Sequence, residues 1–172
     1  MRDEQGLSSP GATKIRHERT YPTSAEQVWR LWTTSEGIES WWAPDGFTAK
    51  VSKLDLRPGG ELVYTFTATA PEQVEFMKNA GMPLTTEAHK TFTELTPPKR
   101  IAYTSVVDFV PGVDPYDQLT VVELTPSGDG VRVVMTADPM HDDVWTQRLT
   151  MGRENELNNL GKVIERLADR KG

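Results

Sequence analysis

Apolar residues and glycine between residues 141 and 171 recur at helical spacing, three, four or eight positions apart. At about 100° per residue they fall on one arc of a helix, and the opposite arc carries polar side chains that suit water. The pattern predicts one long C-terminal helix that lies across a sheet. The inward positions are Trp145, Leu149, Gly152, Leu160, Val163 and Leu167, and the outward positions are Arg148, Glu154, Asn158, Glu165 and Asp169.

Seven stretches before this helix alternate apolar and polar residues between turn signals, and they predict seven strands. The RPGG sequence at 57–60 is the strongest hairpin signal between two of them. The predicted strands are 14–21, 47–56, 61–69, 88–96, 100–107, 118–125 and 131–136.

Two short helices are predicted directly after the first strand. Ser24 is a favourable N-cap, with Gln27 three residues later as a capping box requires. A second helix begins at Thr34 or the next residue and ends at Trp42, because Pro44 follows. The element order therefore predicts an α+β fold, in which a seven-stranded curved antiparallel sheet wraps around the C-terminal helix.

Two apolar segments interrupt the hairpins. Residues 71–81 predict a short helix, and the FVPGVDPY sequence at 109–116 predicts a loop. Both lie where the rim of a space between helix and sheet would be. Insertions at such a rim are often functional, so we expect 71–83 and 109–116 to gate a pocket.

Composition predicts one globular domain at 13–172, after a flexible arm at 1–12 that is rich in Gly, Ser and charge. The chain has 172 residues, of which 37% are hydrophobic and 26% charged, and this length can bury a sizeable core. No apolar run reaches the roughly 18 residues of a membrane helix, and the polar N-terminus predicts no signal peptide.

Cysteine is absent, which excludes disulfides, thiolate catalysis and cysteine-based zinc sites. The net charge is −6, and the few basic clusters form no stripe. Nucleic-acid binding needs several phosphate contacts, so we expect no nucleic-acid partner. These features predict a cytoplasmic protein without membrane insertion.

Three segments resemble one known superfamily. They are TSAEQVWRLWTTSEGIESWWAP at 23–44, LDLRPGGELVYTF at 54–66 and MGRENELNNLGKVIERL at 151–167. The chain resembles the START-like (SRPBCC, helix-grip) superfamily over 13–167, in the branch named for activators of the heat-shock-protein-90 ATPase. Arg153 stands where that branch commonly has tryptophan. The resemblance implies a seven-stranded grip with a central cavity, and it is closest to the bacterial stand-alone members, which are described as stress-related or uncharacterised.

The superfamily includes lipid carriers, hormone receptors, polyketide cyclases and cochaperones, so the fold alone does not decide the function. We expect a carrier or sensor domain that binds a small apolar or amphipathic molecule between the helix and the sheet, without catalysis. One alternative is a cochaperone-like module that contacts heat-shock protein 90, although the eukaryotic members use a separate N-terminal domain for most of that contact. The other is an enzyme similar to polyketide cyclases or dehydratases, with Glu156 or His89 as proton carrier.

Aromatic and apolar residues near the expected cavity are the candidate ligand contacts. Trp41 and Trp42 are adjacent and cannot face the same way on a helix, so we expect one in the core and the other near the pocket mouth. The other candidates can equally be core or wall. The full set is Trp41, Trp42, Tyr64, Phe66, Phe76, Met77, Tyr103, Phe109, Trp145, Leu149, Gly152 and Glu156.

Glu156 falls on the inward arc of the predicted helix. A carboxylate there is expected to pair with a residue such as Arg153 or His89, to face a hydrated cavity, or to titrate at a raised pKa. The competing interpretation is a helix bend at Gly152 that rotates Glu156 to the edge. Gly152 itself suggests a close approach of helix to sheet.

The chain has three histidines, His17, His89 and His141. The sequence HDD at 141–143 contains metal-ligating residue types, but adjacent helical residues diverge, and acidic residues favour a helix N-terminus in any case. We interpret it as a helix cap. The chain also lacks G-x-S-x-G and P-loop sequences, and we predict no metal and no cofactor.

Overall fold

The computed structural model describes residues 14–171, so the predicted arm at 1–12 lies outside the described residues. Within them, seven strands and four helices form the α+β fold that the sequence predicts. The strands are β1 Ile15–Tyr21, β2 Phe47–Leu54, β3 Glu61–Ala68, β4 Thr85–Thr96, β5 Arg100–Val107, β6 Tyr116–Ser127 and β7 Gly130–Ala137. The helices are α1 Ala25–Thr33, α2 Ser35–Trp41, α3 Pro71–Asn79 and α4 Asp143–Lys171.

The strands form one antiparallel sheet in the order β1-β7-β6-β5-β4-β3-β2. Consecutive strands are neighbours except β1, which closes the edge beside β7. The register shifts between Val51 and Lys53 in β2, and between Phe92 and Glu94 in β4. Such bulges bend a strand and increase its twist, and they help to curl the sheet around α4.

Side-chain and turn chemistry places the ends of these elements. The Gln27 backbone N–H donates to the Ser24 hydroxyl at 3.1 Å, and the Thr34 hydroxyl caps α2 in the same way at 3.0 Å. Gly59 has a φ of +85° in the β2–β3 turn, a backbone conformation that favours glycine. The predicted N-cap at Ser24 and the RPGG hairpin are therefore confirmed.

The sequence analysis placed the start of two strands too far along the chain. β4 begins at Thr85, where it pairs with Thr67, and β6 begins at Tyr116, where it pairs with Val107. These residues extend the backbone ladders beyond the apolar alternation, and hydrogen bonds to the neighbouring strand stabilise them whatever their polarity. The predicted loop at 109–116 is correspondingly shorter.

The core lies between the concave face of the sheet and α4. The outward residues predicted for α4 are all exposed, whereas Leu157 and Ile164 are buried and were missing from the predicted stripe. Trp145 and Leu149 are only half-buried. α4 therefore packs tightly against the sheet in its C-terminal half and stands away from it in its N-terminal half. The concave-face core residues include Leu62, Phe92, Ile101, Val122, Leu124, Val133 and Met135.

The predicted close approach at Gly152 is wrong. Gly152 is exposed, and a Cβ atom added there would meet nothing within 4 Å. The close approach occurs instead at Gly161, where an added Cβ would lie 3.3 Å from Cε1 of Tyr21. The Tyr21 hydroxyl donates to the Leu157 carbonyl at 2.7 Å, and this bond fixes α4 against β1.

No helix within residues 14–171 combines the length and the hydropathy that crossing a membrane requires.

Candidate ligand-binding pocket

A cavity of about 330 Å³ lies between the N-terminal half of α4 and the concave surfaces of β3, β4, β5 and β6. It occupies the space that opens where α4 stands away from the sheet. One wall is apolar, and the floor carries buried polar and charged side chains. The apolar wall consists of Val107, Phe109, Met140, Trp145 and Leu149.

The mouth of the cavity is built around two aromatic rings. Phe109, in the loop after β5, packs against Trp145 with ring centroids 5.6 Å apart. The Arg148 guanidinium lies 4.7 Å from the centroid of the Trp145 ring. Phe109 and Arg148 are both exposed, so the entrance presents apolar rings beside a positive charge.

Three aromatic rings lie at the floor or beneath it. Trp42, the residue after α2, stacks on Tyr64 with centroids 5.5 Å apart and an interplanar angle of 14°. It meets Tyr103 edge to face, with centroids 5.9 Å apart. The ammonium of Lys90 lies 5.3, 5.6 and 5.2 Å from the centroids of Trp42, Tyr64 and Tyr103 respectively. These faces carry negative potential, so the three rings stabilise a cation above them.

Lys90 is the most unusual residue of the pocket, because a lysine is rarely buried and this one is only 6% exposed. Its Nζ donates to the Ser105 hydroxyl at 2.8 Å, and among residues 14–171 it has no carboxylate within ion-pair distance. Burial and, to a smaller extent, the nearby Arg153 charge lower the pKa of Lys90 to about 7, against the opposing effect of Glu156. Its amine therefore titrates near neutral pH.

Arg153 enters the floor from α4 and is also 6% exposed. Its Nη1 forms an ion pair with Glu156 Oε2 at 2.8 Å. Its Nη2 donates to the Thr120 hydroxyl at 3.1 Å and to Gln118 Oε1 at 3.5 Å. The Gln118 amide is oriented for this contact, because its Nε2 donates to the carbonyls of Leu119 and Asp138.

The charges of the floor do not balance. Both oxygens of Glu156 are engaged, Oε2 by Arg153 and Oε1 by the Trp42 indole N–H at 3.0 Å. Lys90 and Arg153 thus face a single carboxylate. The Nε of Arg153 is buried and has no hydrogen-bond partner among the described residues. The floor holds an excess positive charge and an unused buried donor.

The pocket brings together part of the predicted set of contact residues. Tyr64, Phe109, Trp145, Leu149 and Gly152 border the cavity, and Trp42, Tyr103 and Glu156 lie beneath its floor.

Four predicted contact residues lie away from the cavity. Trp41 is in the core, where its indole N–H donates to the Leu31 carbonyl at 2.7 Å. Phe66 is half-buried against Tyr64, with ring centroids 4.9 Å apart. α3 carries Phe76, which is exposed, and Met77, which is buried. None of the residues 71–83 borders the cavity, so α3 lies outside the entrance that those residues were expected to gate.

Both adjacent tryptophans are fully buried, with 2% of each side chain exposed. The sequence analysis expected one of the two in the core, and Trp41 lies there. Trp42 lies below the floor rather than at the mouth, because its indole N–H reaches Glu156.

The polar floor consists of Lys90, Ser105, Gln118, Thr120 and Arg153. The sequence analysis named only Arg153 among them, as a possible partner of Glu156, and the structure shows that pair. A signal for the two cations was present. Lys90 alternates in phase with the inward residues Ala88 and Phe92 of β4. Arg153 follows Leu149 by four residues and precedes Glu156 by three, which places it on the inward arc of α4.

The histidines lie outside the floor. His89 is among the residues that border the cavity, but it alternates with the buried Lys90 along β4 and is exposed. Glu61 and Glu87 bond its two ring nitrogens at 3.2 and 2.8 Å and raise its pKa. Nδ1 of His141 and the Tyr116 hydroxyl form a hydrogen bond of 2.8 Å. Asp142 caps α4 through the Trp145 backbone N–H at 2.8 Å, which confirms the cap interpretation. Within residues 14–171 no three metal-ligating side chains form a group.

A larger groove of about 460 Å³ lies at the other end of α4, between residues 22–27 and the β6–β7 turn. Its charged residues, Glu26 and Asp129, are exposed. It lacks the combination of apolar wall and buried charge that distinguishes the smaller cavity.

The model of one protein family matches residues 22–167, and its description is Activator of Hsp90 ATPase homolog 1-like protein. This match spans most of the chain and includes α1, α2, the whole pocket and most of α4. The chain belongs to this family. None of the curated proteins compared with the chain matches it.

Solved structures share the fold of this family member. A protein from Chromobacterium violaceum is 24% identical and superposes with a TM-score of 0.70, over 89% of this chain and 98% of that one. A protein from Arthrobacter aurescens is 16% identical with a TM-score of 0.72, over 91% and 88%. An AHSA1-like protein from Aeromonas hydrophila is 19% identical with a TM-score of 0.68, over 91% and 94%. At these identities the similarity establishes the helix-grip architecture and nothing about ligands.

Proposed function

We propose that this family member binds a small amphipathic molecule in the pocket beneath α4 and acts as a carrier or sensor. The observation that supports this most directly is the cavity itself, which combines an apolar wall with a buried polar floor. Natural ligand sites have this composition, because apolar burial supplies affinity and a few polar groups set the orientation. In this proposal the apolar part of the ligand contacts Phe109, Trp145 and Leu149, and its polar end reaches Lys90.

The volume of the pocket suits a small ligand. At about 30 Å³ for each group packed at liquid density, 330 Å³ holds roughly ten to eleven non-hydrogen atoms. A medium-chain acid or alcohol, or a single substituted ring, is of this size. A long-chain lipid extends beyond the cavity.

The geometry favours binding over the two alternatives. As a proton carrier, Glu156 would have to leave Trp42 and Arg153, which engage its two oxygens. His89 borders the cavity, but Glu61 and Glu87 engage both of its ring nitrogens. A cochaperone module that contacts heat-shock protein 90 would need no internal pocket with buried charges. A stress-related role and a cytoplasmic location stay predictions from the sequence.

Filling the pocket with a larger side chain is expected to abolish binding. Ala88 borders the cavity on β4, and Ala88→Phe would place a ring where the ligand lies. We expect the affinity for octanoate and for octanol, measured by calorimetry and tryptophan fluorescence, to fall at least about tenfold.

Thr93→Phe provides the matched control, because Thr93 is exposed on the same strand and lies outside the cavity. It is expected to retain the wild-type affinities. If the wild-type protein binds neither probe, or if Ala88→Phe binds them as well as Thr93→Phe does, the pocket is not the binding site.

A further inference from the structure

We propose that the pocket selects ligands whose polar end is a carboxylate, because its floor is built to receive one negative charge. This inference rests on the proposed function and specifies the ligand class. The floor contains two buried cations, Lys90 and Arg153, and one carboxylate, Glu156. A buried charge without a counter-ion is unfavourable, and a bound anion would compensate it.

Unused hydrogen-bond donors point to the same chemistry. An ammonium has three N–H donors, and within residues 14–171 Lys90 uses one of them, on the Ser105 hydroxyl. The Nε–H of Arg153 is buried without an acceptor. The floor therefore offers unused donors from two charged groups. A carboxylate brings two acceptor oxygens and no donor, which suits them.

The rest of the floor disfavours other polar ends. Both oxygens of Glu156 already accept a hydrogen bond, and the positive charges of Lys90 and Arg153 repel a ligand cation. The Gln118 carboxamide oxygen points to Arg153, and its nitrogen is held by two backbone carbonyls. A neutral hydroxyl would gain hydrogen bonds but leave the excess charge uncompensated. Charge-assisted bonds are stronger than neutral ones, so an acid is favoured over the alcohol of the same length.

The mouth of the pocket carries a positive charge, as its floor does. Arg148 lies over Trp145 at the entrance, and a positive entrance attracts anions by raising their local concentration. Arg148 faces water, so its contribution should fall as salt rises. The protein as a whole carries a net charge of −6, which makes this positive pocket a local exception.

The test compares three ligands with the same chain, namely octanoate, octanol and octylamine, by isothermal titration calorimetry near pH 6. Octanoate is expected to bind about 10- to 100-fold more tightly than octanol, which is the range for hydrogen bonds to charged groups, and octylamine is expected not to bind. Lys90→Met is expected to remove most of this preference by weakening octanoate while leaving octanol unchanged or tighter. Lys50→Met removes an exposed lysine outside the cavity and is expected to keep the wild-type preference.

The outcomes separate this inference from the proposed function. Equal affinities of the wild-type protein for octanoate and octanol, or tighter binding of octylamine, would overturn the carboxylate preference and leave a ligand-binding pocket standing. An unchanged preference in Lys90→Met would overturn the role given to Lys90. Absence of binding by all three compounds would overturn both proposals.

Discussion

Replacing Lys90 with methionine is expected to make the folded protein more stable, by about 1 to 4 kcal/mol at and below neutral pH. The methionine side chain fills a similar volume and carries no charge to desolvate. Three aromatic faces and the Ser105 hydroxyl partly compensate the buried ammonium, so the gain is smaller than the full cost of burying a charge. A binding residue that weakens the fold is typical of functional sites.

The stabilisation by Lys90→Met is expected to depend on pH, because burial changes the pKa of Lys90. The pKa of Lys90 falls from 10.5 in the unfolded chain to about 7 in the folded protein. Between these two values the unfolded state binds a proton that the folded state does not, so folding loses stability as the pH falls from 10.5 to 7. The loss is complete below pH 7. The stabilisation by Lys90→Met should therefore be largest near pH 6 and should shrink as the pH rises towards 10.5.

Urea unfolding near pH 6 and again near pH 10 measures this effect. Lys50→Met is the control, since Lys50 is 82% exposed, and its effect should stay within about 0.5 kcal/mol at both pH values. A Lys90→Met variant that is less stable than the wild-type protein near pH 6 would show that buried Lys90 stabilises the fold rather than destabilising it.

Replacing Arg153 with methionine is expected to destabilise the protein by about 3 to 5 kcal/mol, because it leaves Glu156 without its partner in a buried site. The Glu156 side chain is 17% exposed, and its other oxygen keeps only the Trp42 indole N–H. The Arg132–Glu18 pair is a matched surface comparison, with side chains 43% and 40% exposed. Arg132→Met should cost no more than about 1 kcal/mol.

A double-mutant cycle tests whether loss of the Arg153–Glu156 ion pair causes this destabilisation. Glu156→Leu alone leaves the Arg153 guanidinium uncompensated and is expected to be destabilising as well. The double variant Arg153→Met/Glu156→Leu should be more stable than the sum of the two single effects, by about 1 to 3 kcal/mol, as for residues in direct contact. Additive effects, or a loss in Arg153→Met no larger than in Arg132→Met, would contradict the buried pair.

The fold could be predicted from the sequence because its determinants are local. Alternating residues, the RPGG turn and the Ser24 N-cap act within a few positions of the chain, and the structure contains the strands, the turn and the cap that they predict, although β4 and β6 begin earlier than predicted. α4 was also correctly located, although its inward arc was assigned incompletely, because Leu157 and Ile164 pack on surfaces formed by distant strands. Gly161 rather than Gly152 makes the close approach, since the contact depends on Tyr21 at the other end of the chain.

The apolar wall was predicted better than the floor. Phe109, Trp145 and Leu149 stand out in the sequence as apolar residues, whereas lysine and arginine are usually exposed. The burial of Arg153 depends on Gln118 and Thr120, which lie 35 and 33 residues away in the chain. The burial of Lys90 depends on the Trp42 ring, just after α2, and on rings from β3 and β5. No local sequence pattern predicts such long-range contacts. A charged residue at a position that the pattern assigns to the inward face can still indicate a buried charge.

The most direct test of the carboxylate-binding pocket is the octanoate affinity as a function of pH, with octanol as reference. A carboxyl group with a pKa of about 4 to 5 stays ionised from pH 6 upwards, so only the protein titrates. We expect the octanoate affinity to be highest near pH 6 and to fall above pH 7 by up to about tenfold per pH unit, because Lys90 must take up a proton to bind the anion. The groups that face Lys90, and that set its titration, are Trp42, Tyr64, Tyr103, Ser105, Arg153 and Glu156.

Octanol affinity should stay constant over the same range, and the octanoate affinity of Lys90→Met should be low and independent of pH. Calorimetry in two buffers of different ionisation enthalpy should show uptake of up to one proton for each octanoate bound above pH 7. An octanoate affinity that does not change from pH 6 to about pH 9, or that changes in parallel with octanol, would contradict the account.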